Sequence, residues 1–295
     1  MSTYAKVIAD SISTDGIRLT TMELCYPLIV HAEFMTHRMF SINAASNRAI
    51  PTKKIIDKVK NDTFYPAYWG KNQSGMQAAG ELSGDDLTDA KDIWRDAAKD
   101  AVHWTTRLNA AGLHKQIANR VLMPYQYITV IVTATEWDNF FKLRLHPDAQ
   151  PEIQELARCM QEAMYESTPR LLKCGEWHLP YVPTNIQENG LWNYLDTDCP
   201  VFNYEKAIKC SVARCARVSY LNHDNENPDI EKDIALADRL LEAEHMSPFE
   251  HQATPMDFAK DTYELTWERG VTHRDRRDNL WSANFRGWIQ YRQLL

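Results

Sequence analysis

The sequence has no long apolar run, no leader-like start and no paired cysteines, and each absence excludes a class of protein. Its longest near-apolar stretch, residues 127–134, is far short of the ~20 residues that a membrane-spanning helix requires. No basic segment followed by an apolar one comes after the opening Met-Ser-Thr-Tyr, so a cytoplasmic location is expected. The six cysteines (Cys25, Cys159, Cys174, Cys199, Cys210 and Cys215) are scattered. None forms the C-x2-C pairs of a zinc site, so reduced structural thiols and no metal are expected. A Gly-rich phosphate loop, a G-x-S-x-G elbow and a C-x-x-C redox motif are missing as well. Excess positive charge is also lacking. A net charge of −7 and a pI near 5.8 disfavour nucleic acid or an anionic membrane as partner, while leaving room for a local basic pocket.

What is present is an ordinary globular composition, 44% hydrophobic and 25% charged over 295 residues. That length buries a core without staples, and one domain over residues 1–295 is expected. Residues 7–12 and 17–25 read as strands joined by an Asp15-Gly16 turn. Pro27 stops the second, and 28–36 reads as a short helix. Residues 61–86 form an aperiodic loop. Ala90, Ile93, Trp94, Ala97, Ala101, Trp104 and Leu108 then repeat as one helical stripe. A further helical stretch ends at Met123, before Pro124. Residues 127–133 read as a buried, β-branched strand. Thr135 to Asp138 suggests a capped helix start, opening a helix whose core side is Phe140, Phe141 and Leu143. Asp148 opens another, with a face of Ile153, Leu156, Ala157, Met160 and Met164. Residues 175–200 suggest a boundary, and Ile230, Ile234, Ala237 and Leu241 mark one more helix. The interleaving predicts an α/β (α+β) fold with a mixed sheet and packed helices.

Chemistry concentrates in three places. Residues 36–48 hold two arginines, a histidine, two serines and two asparagines among small or apolar positions. Arginine forks bind phosphate oxygens and serine or backbone donors fill the gaps, so such a segment suits a phosphate or a polarised heterocycle; a capped polar loop would look the same. Arg120, Asn139 and Arg144 form a second group, although an arginine between apolar neighbours also snorkels to surface carboxylates. The third is His245 to His251, whose spacing and proline do not suit a zinc helix. The basic run 269–277 is interrupted by Asp275 and reads as a solvated face.

Together these clusters resemble the flavin-dependent thymidylate synthases. That family's R-H-R, seven residues, S signature, elaborated as R-H-R-x-x-S-x-N-E-x-S-x-R-Y, is matched by Thr36-His37-Arg38, seven residues, then Ser46, with Ser41, Asn43 and Arg48 in register. Its second signature is matched by Arg120-Val-Leu-Met-Pro124, Asn139-Phe-Phe-Lys-Leu-Arg144 and Ala149-Gln150-Pro-Glu152-Ile153. Ala216-Arg217-Val218-Ser219-Tyr220 and His245-Met-Ser247-Pro-Phe-Glu250-His251 match its A-R-V-S-Y and G-H-x-[ST]-P-F-E-H motifs. In the family these last motifs come first. The chain is therefore similar to a circularly permuted or duplicated member, with the signatures in 1–173 and the family's N-terminal part in 210–251. Three positions differ from the signature: Thr36 replaces arginine, Ala44 glutamate and Ala49 tyrosine, and Glu33 stands where the family has glutamine.

The resemblance implies a fold, an activity and a site. FAD would contact His37, Arg38, Asn139 and Ser247, with His245 at the pocket border. A nucleotide monophosphate would lie on Ser46, Asn47 and Arg48, clamped by Arg120. Arg144, the implied catalytic residue, would face the uracil edge. Methylenetetrahydrofolate would give the one-carbon unit and NADPH the electrons for dUMP to become dTMP, without any enzyme thiolate. A homotetramer with shared sites is implied too, with no nucleic-acid or membrane partner. Methylation or hydroxymethylation of another pyrimidine nucleotide, and a non-catalytic flavin- or nucleotide-binding homologue, are the competing readings.

Overall fold

The computed structural model describes residues 3–75, 77–186, 192–194, 204–220, 229–257 and 267–295. Cys199 and part of the expected 175–200 boundary lie outside them. Strands β1 (Tyr4–Ser13) and β2 (Arg18–Pro27) pair antiparallel, and Gly16 makes the reversal with a left-handed φ of 77°. A 3₁₀ turn (Leu28–Val30), α1 (His31–Phe34) and β3 (Ser41–Ala44) follow. Next come α2 (Thr52–Asn61), α3 (Gly84–Ala110) and α4 (Lys115–Ala118), which runs into a 3₁₀ helix (Asn119–Tyr125). Then β4 (Tyr127–Ala134), α5 (Asp138–Arg144), α6 (Pro151–Glu166) and β5 (Arg170–Leu172) complete a five-stranded mixed sheet. Its order is β3-β4-β2-β1-β5, antiparallel except where β5 joins β1 in parallel.

The remaining chain supplies a small hairpin, β6 (Thr184–Ile186) with β7 (Trp192–Tyr194), then α7 (Tyr204–Ala216) and α8 (Ile230–Glu242). A 3₁₀ turn (Ser247–Glu250) and β8 (Ala253–Pro255) come next, followed by β9 (His273–Arg274), β10 (Leu280–Ser282), β11 (Phe285–Arg286) and β12 (Trp288–Gln290). The last five strands make two small sheets, β11-β10-β9 and β12-β8.

Period-2 patterning explains why both faces of the large sheet are covered. Met22, Leu24, Tyr26, Val130, Val132 and Ala134 point to one side, where Phe34, Phe140, Ile153, Leu156, Ala157 and Met160 cover them. Thr21, Glu23, Ile131 and Thr133 take the other side. Ile131 packs there on Cys215 and Val218, and Tyr181 donates its hydroxyl to Glu23 at 2.5 Å.

Four local expectations need correcting. The α3 stripe is not one buried face: Ala98, Ala101, Val102 and Thr105 are buried, whereas Ile93 is 69% and Trp104 51% exposed. The helix meets α2 and the 3₁₀ helix after α4 along a narrow seam, so Ile93 and Trp104, on the same apolar arc, are left outside that seam. Thr135 does not cap α5, which has no side-chain cap at its start; its hydroxyl instead accepts the Arg286 N–H at 3.1 Å. Leu143 is exposed rather than on the core side, and Pro124 sits inside the 3₁₀ helix, which ends at Tyr125.

Candidate active site

His37 enters the protein on two successive tight turns after α1, with its N–H on the Phe34 carbonyl and its own carbonyl accepting from Phe40. The apolar pull of Phe34 and Phe40 buries the segment, and His37 packs edge-on against Phe140 with ring centres 4.8 Å apart. Arg144, at the end of α5, donates Nε–H to His37 Nε2 at 2.9 Å. Its Nη2 reaches Thr36 Oγ1 at 3.4 Å and the Glu33 carbonyl at 3.5 Å. Burial, then the Arg144 charge, pull the His37 pKa down to about 4. The imidazole is therefore neutral at pH 7, and because Nε2 accepts, Nδ1 carries its proton. Glu33 Oε2 is buried with no hydrogen-bond partner among the described residues.

On the far side of β3 the chain turns through residues 45–50. Ala45 N–H bonds the Thr129 carbonyl at 2.9 Å, Ala49 N–H the Ser46 carbonyl at 2.9 Å, and Arg48 N–H the Ser46 hydroxyl at 3.3 Å. Asn119 is fully buried and staples this turn by donating to the Asn47 and Ile50 carbonyls at 2.7 and 3.0 Å. Lys115 adds a bond to the Ala49 carbonyl at 2.8 Å. Ser46, Asn47, Arg48 and Arg120 thereby line one open cleft of ≈ 280 Å³, with His31 and Gln116 beside them. Arg120 lies along its own helix, Nε on the Gln116 carbonyl at 3.2 Å. His31 bonds the Tyr26 hydroxyl at 2.8 Å, and burial lowers its pKa.

The C-terminal segment docks on the same strand. Ser247 donates to Asn43 Oδ1 at 3.4 Å, and Asn43 donates in turn to the Cys215 carbonyl at 2.7 Å. Strand β3 thus stands between the two clusters, with His37 and Arg38 before it, Ser46 to Arg48 after it and Ser247 against it. Arg38, Asn139 and His245 are exposed. Among the described residues the side chains of Arg38, Asn139 and Arg48 make no hydrogen bond. Arg217, from the A-R-V-S-Y motif, is committed elsewhere: with Arg214 it pairs with the buried Asp233. The side chains of Ser219 and Tyr220 lie outside the described residues.

Reasoning from sequence singled out the residues of both clusters but not His31, Gln116 or Asn119. Asn119 acts on backbone carbonyls some 70 positions away, and no local pattern announces that. Among the described residues no reactive thiol accompanies the site. Burial pushes Cys25 and Cys210 up to about 11 and Cys215 higher, and it raises Cys159 and Cys174 as well. Among the described residues no group of three or more His, Cys, Asp or Glu is placed to hold a metal.

The sequence pattern of one protein family, described as thymidylate synthase complementing protein, matches residues 19–170. No curated protein sequence matches the chain. Among solved structures, the UMP/dUMP methylase PolB from Streptomyces cacaoi bound with 5-Br UMP is 19% identical. That match covers 56% of this chain and 89% of that one, with a TM-score of 0.48. The same methylase bound with 5-Br dUMP is 17% identical over 56% and 90% of the two chains, with a TM-score of 0.43.

Proposed function

The chain belongs to the thymidylate synthase complementing protein family, the flavin-dependent thymidylate synthases, and is a thymidylate synthase-like methyltransferase; from that premise we propose that it moves a one-carbon unit from methylenetetrahydrofolate to C5 of dUMP, giving dTMP. In this reading Ser46, Asn47 and Arg48 bind the monophosphate and Arg120 clamps it. Arg144 lies at the pyrimidine edge, where a fixed positive charge favours the N3-deprotonated, enolate-like form. Neutral His37 holds the Arg144 fork in its plane through Nε2. His37, Arg38, Asn139 and Ser247 hold FAD, bordered by His245. The residues suit that cofactor: among the described residues Arg38 and Asn139 carry unspent donors, and the buried Glu33 Oε2 lacks the donor that a ring N–H would give. When bound, the flavin supplies hydride, with NADPH as the electron source. The described thiols, raised in pKa, need take no part.

The observation that carries this reading is the grouping of Ser46, Asn47, Arg48 and Arg120 around one cleft, a single short strand away from His37 and Arg144. A cytoplasmic homotetramer with shared sites belongs to the same proposal, and such an assembly would cover the exposed Ile93 and Trp104. The test is to titrate FAD by fluorescence, then incubate the reduced protein with dUMP and methylenetetrahydrofolate and weigh the product. Flavin uptake and a mass equal to dTMP are expected; no flavin binding would overturn the reading. A second reading, (hydroxy)methylation of a different pyrimidine nucleotide, is favoured by Thr36, which sits 3.4 Å from Arg144 where the signature has arginine. A hydroxymethyl mass, or turnover of dCMP or UMP in preference to dUMP, would select it.

A further inference from the structure

Residues 267–295 lie beyond the family match, and their charge runs against that of the chain. They carry six arginines against Glu268, Asp275 and Asp278, in a protein of net charge −7. Between β9 and β10 a tight turn is organised on Asp275. Its carboxylate accepts from the N–H groups of Arg277 and Asn279 at 2.7 and 3.0 Å, from Asn279 Nδ2 at 2.9 Å and from Trp281 Nε1 at 3.0 Å. Those neutral donors fill the four positions that a carboxylate offers. Asp278 completes the turn in a left-handed conformation, φ 60°, which aspartate tolerates. Asp275 is thus spent within the loop, and among the described residues the Arg276 and Arg277 guanidiniums meet no carboxylate. Both line an open cleft of ≈ 630 Å³, whose other walls are Trp281, Asn279 and the Arg286–Glu136 pair (2.6 Å).

The cleft adjoins the proposed flavin site. Glu136 lies three residues ahead of Asn139, and Arg286 N–H bonds Thr135. Asn284, in the turn between β10 and β11, donates at 3.2 Å to the carbonyl of Met39, the residue after Arg38, and bonds the Ser41 hydroxyl. We propose that this cleft binds the anionic tail of a co-substrate whose reactive end lies at the His37 cluster. The inference rests on the reading of that cluster given above. Two guanidinium forks that meet no carboxylate among the described residues, held on a turn organised by Asp275, suit neighbouring anionic groups, either the phosphates of a dinucleotide or the linked carboxylates of an oligoglutamyl chain.

Calorimetric titration of the full chain with inorganic pyrophosphate and with tri-γ-glutamate separates these sources. One of them binds, more weakly as salt rises, and the Arg276→Ala/Arg277→Ala variant loses roughly 10–100-fold in affinity. Asp275→Ala, which keeps both arginines but frees the turn, weakens the same ligand. Binding of dUMP stays unchanged in both variants, because Ser46, Arg48 and Arg120 are untouched. Pyrophosphate binding assigns the cleft to a dinucleotide, and triglutamate binding assigns it to a folate tail. Binding of neither probe, or equal binding by the double-arginine variant, would overturn the proposal. A protein that binds a probe here but never converts dUMP would overturn the chemistry instead, and not this site.

Discussion

Arg144 is committed on two of its three guanidinium nitrogens, Nε to His37 and Nη2 to Thr36 and the Glu33 carbonyl. A fork fixed in this way can present its remaining nitrogen in one direction without paying further rotamer entropy. If that direction is the pyrimidine edge, Arg144→Ala removes charge stabilisation worth about 2.7–4 kcal/mol, and turnover falls roughly 100–1,000-fold. FAD titration should be little changed. Arg144→Lys should restore little, because a single ammonium nitrogen lacks the planar fork that reaches His37 and Thr36 from separate nitrogens while a third faces away. A readout independent of activity is the His37 titration followed by NMR. Losing the neighbouring cation raises its pKa above about 4, yet only part of the way to the usual value, because burial is the larger cause. Near-normal turnover in Arg144→Ala would reduce this arginine to a packing role.

Helix α5 has seven residues and no side-chain cap, so its position depends on one buried ring. Phe140 touches His37, Phe34, Phe40 and Phe141. Phe140→Ala should cost about 3–5 kcal/mol, read as a lower urea midpoint, and should loosen the Arg144–His37 pair along with the helix. A midpoint shift under 1 kcal/mol would mean that α5 is held from elsewhere. The elements that the sequence made legible are those whose pattern matches their burial: β2 and β4 with alternating apolar residues, and α6 with Ile153, Leu156, Ala157 and Met160 on one face. The α3 stripe misled because Ile93, Ala97 and Trp104 share the arc but not the seam, and a sequence does not show where a neighbouring helix stops. Thr135 misled because its partner, Arg286 N–H, lies 151 residues away. The candidate site was legible in part. The polar run 36–48 stood out by composition, whereas the cleft exists because Asn119 binds two carbonyls of that run, a long-range contact without a local signal.

Across the whole molecule, a buried hydrogen-bond chain joins segments beyond the family match to the central sheet. Ser11 bonds His178 Nδ1 at 2.9 Å, His178 Nε2 bonds Thr21 at 2.8 Å, Thr21 bonds Thr133 at 2.7 Å, and Thr133 bonds His251 Nδ1 at 2.8 Å. His178 and Ala253 also exchange backbone bonds. Both histidines are fully buried, and burial, the largest cause for each, lowers their pKa to about 3. His37 is lowered to about 4, and His31 is lowered too. The folded pKa of each lies below the unfolded value near 6.5, so the unfolded chain takes up these protons first. Their contribution to stability is complete above pH 6.5 and is lost as pH falls toward 4 and then 3. Carboxylates ionise near pH 4 in the unfolded chain, which leaves pH 6.5 to about 4.5 as a window that reports mainly on histidine. There, uptake of about three protons gives a slope approaching roughly 4 kcal/mol per pH unit. Urea midpoints at pH 8, 6 and 5 should therefore agree poorly, with little change above pH 7 and a steep fall below 6.5. His178→Gln should remove about one proton's share of that slope, roughly 1.4 kcal/mol per pH unit, whatever it does to the absolute midpoint. If wild type and variant give parallel curves, His178 already carries a proton in the folded protein or is open to water, and the chain from Ser11 to His251 is not what holds the C-terminal segments to the sheet.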